Sequence, residues 1–270
     1  MKLVQFASAV ALLGAGVNAS AWWNYKTVAE YEPMSDSIVK HEGTPVGEEV
    51  KYEGLTLYVT KPKGKKADKA VLYITDVFGI QLAQNKLLAD SFARAGFVTV
   101  APDLFDGVPA PEDLNKPGFN STAFLAKYNA GVTDPKLATS IKYLREVLGA
   151  KVVGGTGYCY GGRYSFRFAA KGKGLDAAFA AHPSLLEDGE IVAATKPAGI
   201  AAAENDSLFS TERRHAAEGL LQQADIPFQV SLYSGTSHGF GVRANVSDPQ
   251  QKFAKEAAFF QAVRWFNAWM

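Results

Sequence analysis

Three observations predict an α/β domain in which a mostly parallel sheet carries helices on both faces. Apolar runs of strand length alternate with amphipathic stretches of helical period along the chain. Several runs are apolar without a break, as strands covered on both faces are. The polar residues that follow them (Asp76, Asp103, Cys159, His182, Asp206 and His238) fall beyond the carboxyl ends of the strands, where open parallel sheets bind ligands.

Residues 22–47 are aromatic, then polar and proline-containing, and read as an extended lead-in. Leu55–Val59 alternates apolar and polar, and Ala70–Ile74 is a continuous apolar run. Leu82–Ala95 places Leu87, Leu88, Phe92 and Ala95 on one helical face, with Gly96 as its stop. Phe97–Ala101 is a buried strand closed by Pro102. Residues 107–133, rich in Pro, Gly and Asn, read as a long excursion, a lid candidate with a short helix. Pro135–Leu148 is a helix with Leu137, Ile141, Leu144 and Leu148 inward. Lys151–Gly157 is a strand and Arg163–Ala170 a helix. Ala177–Ala181, Ala198–Ala203 and Phe228–Tyr233 are strands, Glu212–Gln223 a helix between the last two, and Gln251–Trp269 the closing helix.

The 270 residues are 47% hydrophobic, enough for a large core, and exclude a disordered or collagen-like chain. Lys and Arg number 28 against 27 Asp and Glu, so no phosphate-neutralising stripe exists and nucleic acid is not an expected partner. The densest basic run, Lys61–Lys66, reads as a solvated turn. One cysteine excludes an intrachain disulfide and Cys-based zinc or iron–sulfur sites. With no His and carboxylate cluster at ligand spacing and no G-x-G-x-x-G run, no metal and no cofactor are expected.

At the N-terminus, Lys2 precedes an apolar stretch from Leu3 to Val17, followed by Ala19, Ser20 and Ala21. Val17 and Ala19 stand at the −3 and −1 positions of a cleavage site. The expectation is a secretory signal peptide over residues 1–19, a single domain over 20–270 and a secreted product. The alternative is an N-terminal helix kept in the fold. The stretch is too short and too rich in Ala and Gly to predict a stable membrane span. Asn120, Asn205 and Asn245 begin Asn-x-Ser/Thr sequons.

The sharpest local signal is Gly157-Tyr158-Cys159-Tyr160-Gly161-Gly162, a G-x-C-x-G turn between a strand and a helix. A nucleophile on so tight a turn needs glycines, because a Cβ at either position would strike the neighbouring backbone. The helix that follows aims its positive end at the sulfur, which favours thiolate, and offers the Tyr160 N–H as an oxyanion donor. The competing reading is a buried apolar Cys. His238 lies in a Gly-rich loop after the last strand, and Cys159, Asp206, His238 follow the chain order nucleophile, acid, base. Asp206 would orient the imidazole or cap a helix, with Glu204 as the competing carboxylate. His182 reads as structural or pocket-lining, and His41 and His215 as surface residues.

These segments, with His41-Glu42-Gly43-Thr44-Pro45, Asp76-Val77-Phe78-Gly79, Ala101-Pro102-Asp103-Leu104-Phe105 and Ser237-His238-Gly239-Phe240, resemble the dienelactone hydrolase family, especially its secreted fungal-type members, over residues 40–265. The resemblance implies the α/β-hydrolase fold and a Cys-His-Asp triad of Cys159, His238 and Asp206. It also implies hydrolysis of a lactone or carboxylic ester through a thioester acyl-enzyme. It places a second oxyanion donor at the Val77 N–H, after Asp76, where bacterial members carry a Glu that switches thiol to thiolate; Asp76 is one methylene shorter. It makes Arg243 a candidate for a substrate carboxylate, its alternative being a surface role, and Tyr158 and His182 complete the candidate substrate contacts.

The expected function is therefore a carboxylic ester hydrolase, dienelactone-type substrates first, with a small lactone or ester as its partner and a monomer as its state, a dimer being left open. The competing readings are a non-catalytic small-molecule binder on the same scaffold, and an esterase acting on a polysaccharide or secondary-metabolite ester.

Overall fold

A computed structural model describes residues 38–64 and 68–270. The signal peptide expected over 1–19, and with it the start of the domain at residue 20, lies outside the described residues, as does most of the lead-in. Eight strands form one sheet: β1 (Glu48–Tyr52), β2 (Leu55–Thr60), β3 (Lys69–Ile74), β4 (Val98–Pro102), β5 (Val152–Tyr158), β6 (Ala177–Ala181), β7 (Ala198–Asn205) and β8 (Phe228–Ser237). Their spatial order is β1-β2-β4-β3-β5-β6-β7-β8. β1 pairs antiparallel with β2 and β2 with β4, while every pair from β4 to β8 is parallel. The parallel strands β3 to β7 are the continuous apolar runs, buried along nearly their whole length, because helices cover both sides of them.

The helices are α1 (Ala83–Arg94), α2 (Ser121–Lys127), α3 (Ala130–Lys142), α4 (Tyr160–Phe168), α5 (Asp188–Val192), α6 (Thr211–Gln223), α7 (Phe240–Arg243) and α8 (Pro249–Trp269). On one face α3 and α4 bury Leu137, Ile141, Tyr164 and Phe168 against Leu57, Leu72, Ile74 and Val153, and α6 buries Ala217 and Leu221 against Ala198, Ile200 and Ala202. On the other, Phe92 of α1 stands 4.8 Å from Phe259 of α8, and Phe266 of α8 packs on Phe97. Asp248 caps α8 by accepting from Gln250 N–H and Gln251 N–H ahead of Pro249, a pairing worth about 1 kcal/mol.

Several elements differ from the sequence expectation. β1 was not foreseen, because Glu48, Glu49 and Lys51 are exposed and only Val50 and Tyr52 lean on the core. The excursion is shorter than 107–133: Asn129 caps α3 through Gly131 N–H, so the helix starts at Ala130 and carries Pro135 inside it. That helix runs on into one π turn over Tyr143–Val147. α4 begins at Tyr160 rather than Arg163, two glycines notwithstanding. β8 runs on to Ser237, which delivers His238 directly from the strand. No described helix is long and apolar enough to cross a membrane.

Candidate active site

Cys159 sits between β5 and α4 at φ +50°, ψ −114°, a conformation that side chains avoid and that a tight strand-to-helix turn imposes. The two flanking glycines are required by contact rather than by φ. A Cβ on Gly157 would lie 2.1 Å from Gly161 O, and one on Gly161 would lie 2.1 Å from Ile74 O. The sulfur is nearly buried, in a cluster with Ile74, Phe105, Tyr128 and Tyr160, with Val77 and Phe124 leaning against it. Strand alternation sends the preceding side chain the other way. Tyr158 is 2% exposed, stacked on Tyr73 at 4.9 Å on the α1 side of the sheet, so the geometry gives no support to a substrate contact there.

His238 follows β8, and its Nδ1–H donates to Asp206 Oδ2 at 2.8 Å. Asp206 follows β7 where the pairing with β8 shifts register between Ala203 and Asn205, a bulge that re-aims the chain. Its other oxygen accepts from Leu208 N–H and Phe209 N–H, so the carboxylate is held by its own loop. Ser210, not Asp206, caps α6. Glu204 is committed elsewhere, accepting from Gly235 N–H at 2.8 Å. Burial alone would pull the His238 pKa down. The Asp206 hydrogen bond and the charges of Asp206 and the nearby Cys159 sulfur outweigh it and push it up to about 10. His238 Nε2, the nitrogen left free by Asp206, has no other hydrogen-bond partner among the described residues.

His182 follows β6 at φ +39° with its side chain fully buried. Its ring meets that of His238 edge to face at 5.1 Å, and neither ring nitrogen has a partner among the described residues. Burial first, then the charges of His238 and Arg243, hold its pKa well below the usual histidine range. It is a neutral wall of the site, the pocket-lining alternative.

Asp76 follows β3, wholly buried. Oδ1 accepts from Phe78 N–H and Asn85 Nδ2, and Oδ2 lies 3.4 Å from Arg243 Nε. Burial raises its pKa, which Asn85, Arg243 and Phe78 N–H partly offset. The turn it organises presents Val77, whose N–H has no acceptor among the described residues. Tyr160 opens α4, its hydroxyl anchored on Tyr128 O and Thr133 Oγ1. Arg243 stacks over Phe78 at 4.4 Å and lines a pocket of about 250 Å3 with Phe78, Leu82, Gln84 and Glu112. Sequence reasoning missed Ser184, whose Oγ lies 3.6 Å from the Cys159 sulfur; no motif marks it, because the contact joins two separate loops. It missed Asn85 as well, in the first turn of α1.

The sheet order and the helices on both faces define an α/β-hydrolase fold. A structure of a dienelactone hydrolase-like promiscuous phosphotriesterase from metagenomic libraries superposes with a TM-score of 0.69 at 17% identity, covering 84% of this chain and 99% of that one. The chain belongs to the dienelactone hydrolase family, which it matches over residues 55–270, and it is accordingly a hydrolase of the lactone or ester type. Hydrolase pyvD of Aspergillus violaceofuscus is 40% identical over 230 residues, 85% of this chain and 93% of the relative. Hydrolase tropI of Talaromyces stipitatus is 35% identical over 243 residues, 86% and 93%.

Proposed function

We propose that the protein opens lactones or cleaves carboxylic esters, dienelactone-type substrates first, with Cys159 as nucleophile, His238 as acid–base and Asp206 as its orienter. The observation that carries this reading is the 2.8 Å bond from His238 to Asp206 beside a cysteine at φ +50°. His238 takes the thiol proton and the sulfur attacks the acyl carbon. The Val77 and Tyr160 N–H groups stabilise the oxyanion as the tetrahedral intermediate forms. The intermediate collapses to a thioester, and His238 returns the proton to the leaving alkoxide, which in a lactone stays tethered. Water, deprotonated by His238, then releases the acid and restores the thiol. Asp76 shapes the oxyanion turn through Phe78 N–H instead of reaching the sulfur. Arg243 offers its exposed edge to a substrate carboxylate.

The test uses p-nitrophenyl acetate and a panel of enol-lactones, before and after iodoacetamide. Turnover that is lost on alkylation and in Cys159→Ala, with the label on Cys159, supports the reading. Cys159→Ala that still turns over overturns it. Secretion through residues 1–19, removed from a mature domain beginning at residue 20, is part of the proposal. N-terminal sequencing of protein recovered from the medium of a secreting host tests it, and size-exclusion chromatography tests the monomer.

A further inference from the structure

We propose that Ser184 is a fourth catalytic residue, whose hydroxyl donates a hydrogen bond to the Cys159 sulfur and holds it as thiolate before attack; this rests on the reading of Cys159 as the nucleophile. Ser184 Oγ lies 3.6 Å from Cys159 Sγ, and both residues are buried. A thiolate has lone pairs and no proton. Once the thiol proton has passed to His238, the hydroxyl can only donate.

The contact is built into the backbone. Ser184 N–H donates to Cys159 O at 3.0 Å, and Cys159 N–H donates to Ala181 O at 3.2 Å, so residues 181–184 bracket the elbow from both sides. Between them Pro183 presses on the first turn of α4, where a Cβ on Gly162 would lie 2.8 Å from Pro183 Cα. His182 and Leu185, on either side, take φ +39° and +57°. The chain accepts strain at two positions and closes a two-point tie that delivers one hydroxyl to one sulfur. Asp76, the other polar group considered for the sulfur, gives Oδ1 to Phe78 N–H and Asn85, while its Oδ2 lies 3.4 Å from Arg243 Nε and has no hydrogen-bond partner among the described residues.

The bond is strongest while the sulfur is charged, weakens when the sulfur becomes a thioester, and returns when the acid leaves. It therefore raises the reactive fraction of Cys159 near neutral pH. The other titratable and charged groups gathered around the elbow are Asp76 after β3, His182 after β6, Asp206 after β7, and His238 and Arg243 flanking the start and end of α7; Tyr160 turns its hydroxyl away to Tyr128 O and Thr133.

The experiment is the rate of iodoacetamide alkylation of Cys159 against pH, on the full chain, for wild type, Ser184→Ala and the near-isosteric pair Ser184→Thr and Ser184→Val. Ala keeps the backbone bond and removes only the hydroxyl. The expected result is a midpoint about one pH unit higher in Ser184→Ala, hence about tenfold slower alkylation at neutral pH. Thr is expected to keep the wild-type midpoint and Val to shift like Ala. An unchanged midpoint in Ala overturns the proposal. So does an equal midpoint in Thr and Val, which decides the matter even if Ala does not fold. Failure of the hydrolase reading looks different: there, Cys159→Ala retains turnover, whatever the alkylation midpoints do.

Discussion

The loops after β6 and β8 each bring a histidine to the same end of the sheet, His182 fully buried and His238 half-buried, and the two rings meet edge to face 5.1 Å apart. Desolvation opposes the imidazolium in both. His238 has Asp206 at 2.8 Å and the Cys159 sulfur beside it, and is pushed up to about 10. His182 has no partner for either nitrogen among the described residues, and burial with the charges of His238 and Arg243 holds it well below its usual range. His182 is the deeper of the two, yet burial opposes the charge in both, and only the ring with a carboxylate partner overcomes it: His238 is favoured as imidazolium, while His182 stays neutral and leaves Asp206 to its neighbour.

The largest way to break that contrast is to take the carboxylate from His238. Asp206→Asn should cut kcat on p-nitrophenyl acetate by about 10^4-fold, the loss such a change causes in Ser-His-Asp enzymes; a loss under tenfold would mean that Asp206 does not orient the ring. The next effect is on the β6 loop. Gly162→Ala forces Pro183 away from the elbow and should cost about 1–3 kcal/mol in urea unfolding while slowing Cys159 alkylation; wild-type stability would show that the loop yields freely.

The pH dependence of stability sharpens the contrast, because the two rings act with opposite sign. The folded pKa of His182 is depressed. Its contribution is complete above the unfolded value near 6.5 and is lost as pH falls below it. That of His238 is raised, so its contribution is complete below about 6.5 and is lost as pH rises toward about 10. Urea midpoints should fall on both sides, with His182→Asn flattening the acid limb and Asp206→Asn the alkaline one. If either variant leaves its limb unchanged, that ring does not titrate as described. The smallest effect is at Arg243, whose half-exposed side chain is screened. Arg243→Gln should raise KM for carboxylate-bearing lactones about fivefold and leave neutral esters alone; equal changes for both would remove the carboxylate role.

Much of this is legible in the sequence. Continuous apolar runs mark β3 to β7, and the glycines around Cys159 announce a turn in which a Cβ on Gly157 or Gly161 would strike neighbouring backbone. Chain order brought His238 and Asp206 forward as a pair. What escaped depends on tertiary contact or on weak local signal. β1 is a polar edge strand with two half-buried residues. The start of α3 was read at Pro135, whereas the Asn129 cap outweighs the proline. Tyr158 adjoins Cys159 in sequence, yet period-two alternation places it across the sheet, a signal that was available. Ser184 joins the site through a loop that no motif describes.

The central claim is a covalent thioester on Cys159. Rapid mixing with p-nitrophenyl acetate, quenching in acid and peptide mass spectrometry test it directly. The account predicts a burst of nitrophenolate and one acetyl group on the peptide containing Cys159, removed by neutral hydroxylamine and absent from Cys159→Ala. Turnover without any acetylated cysteine, or an acetyl group on another residue that turns over at the steady-state rate, would contradict it.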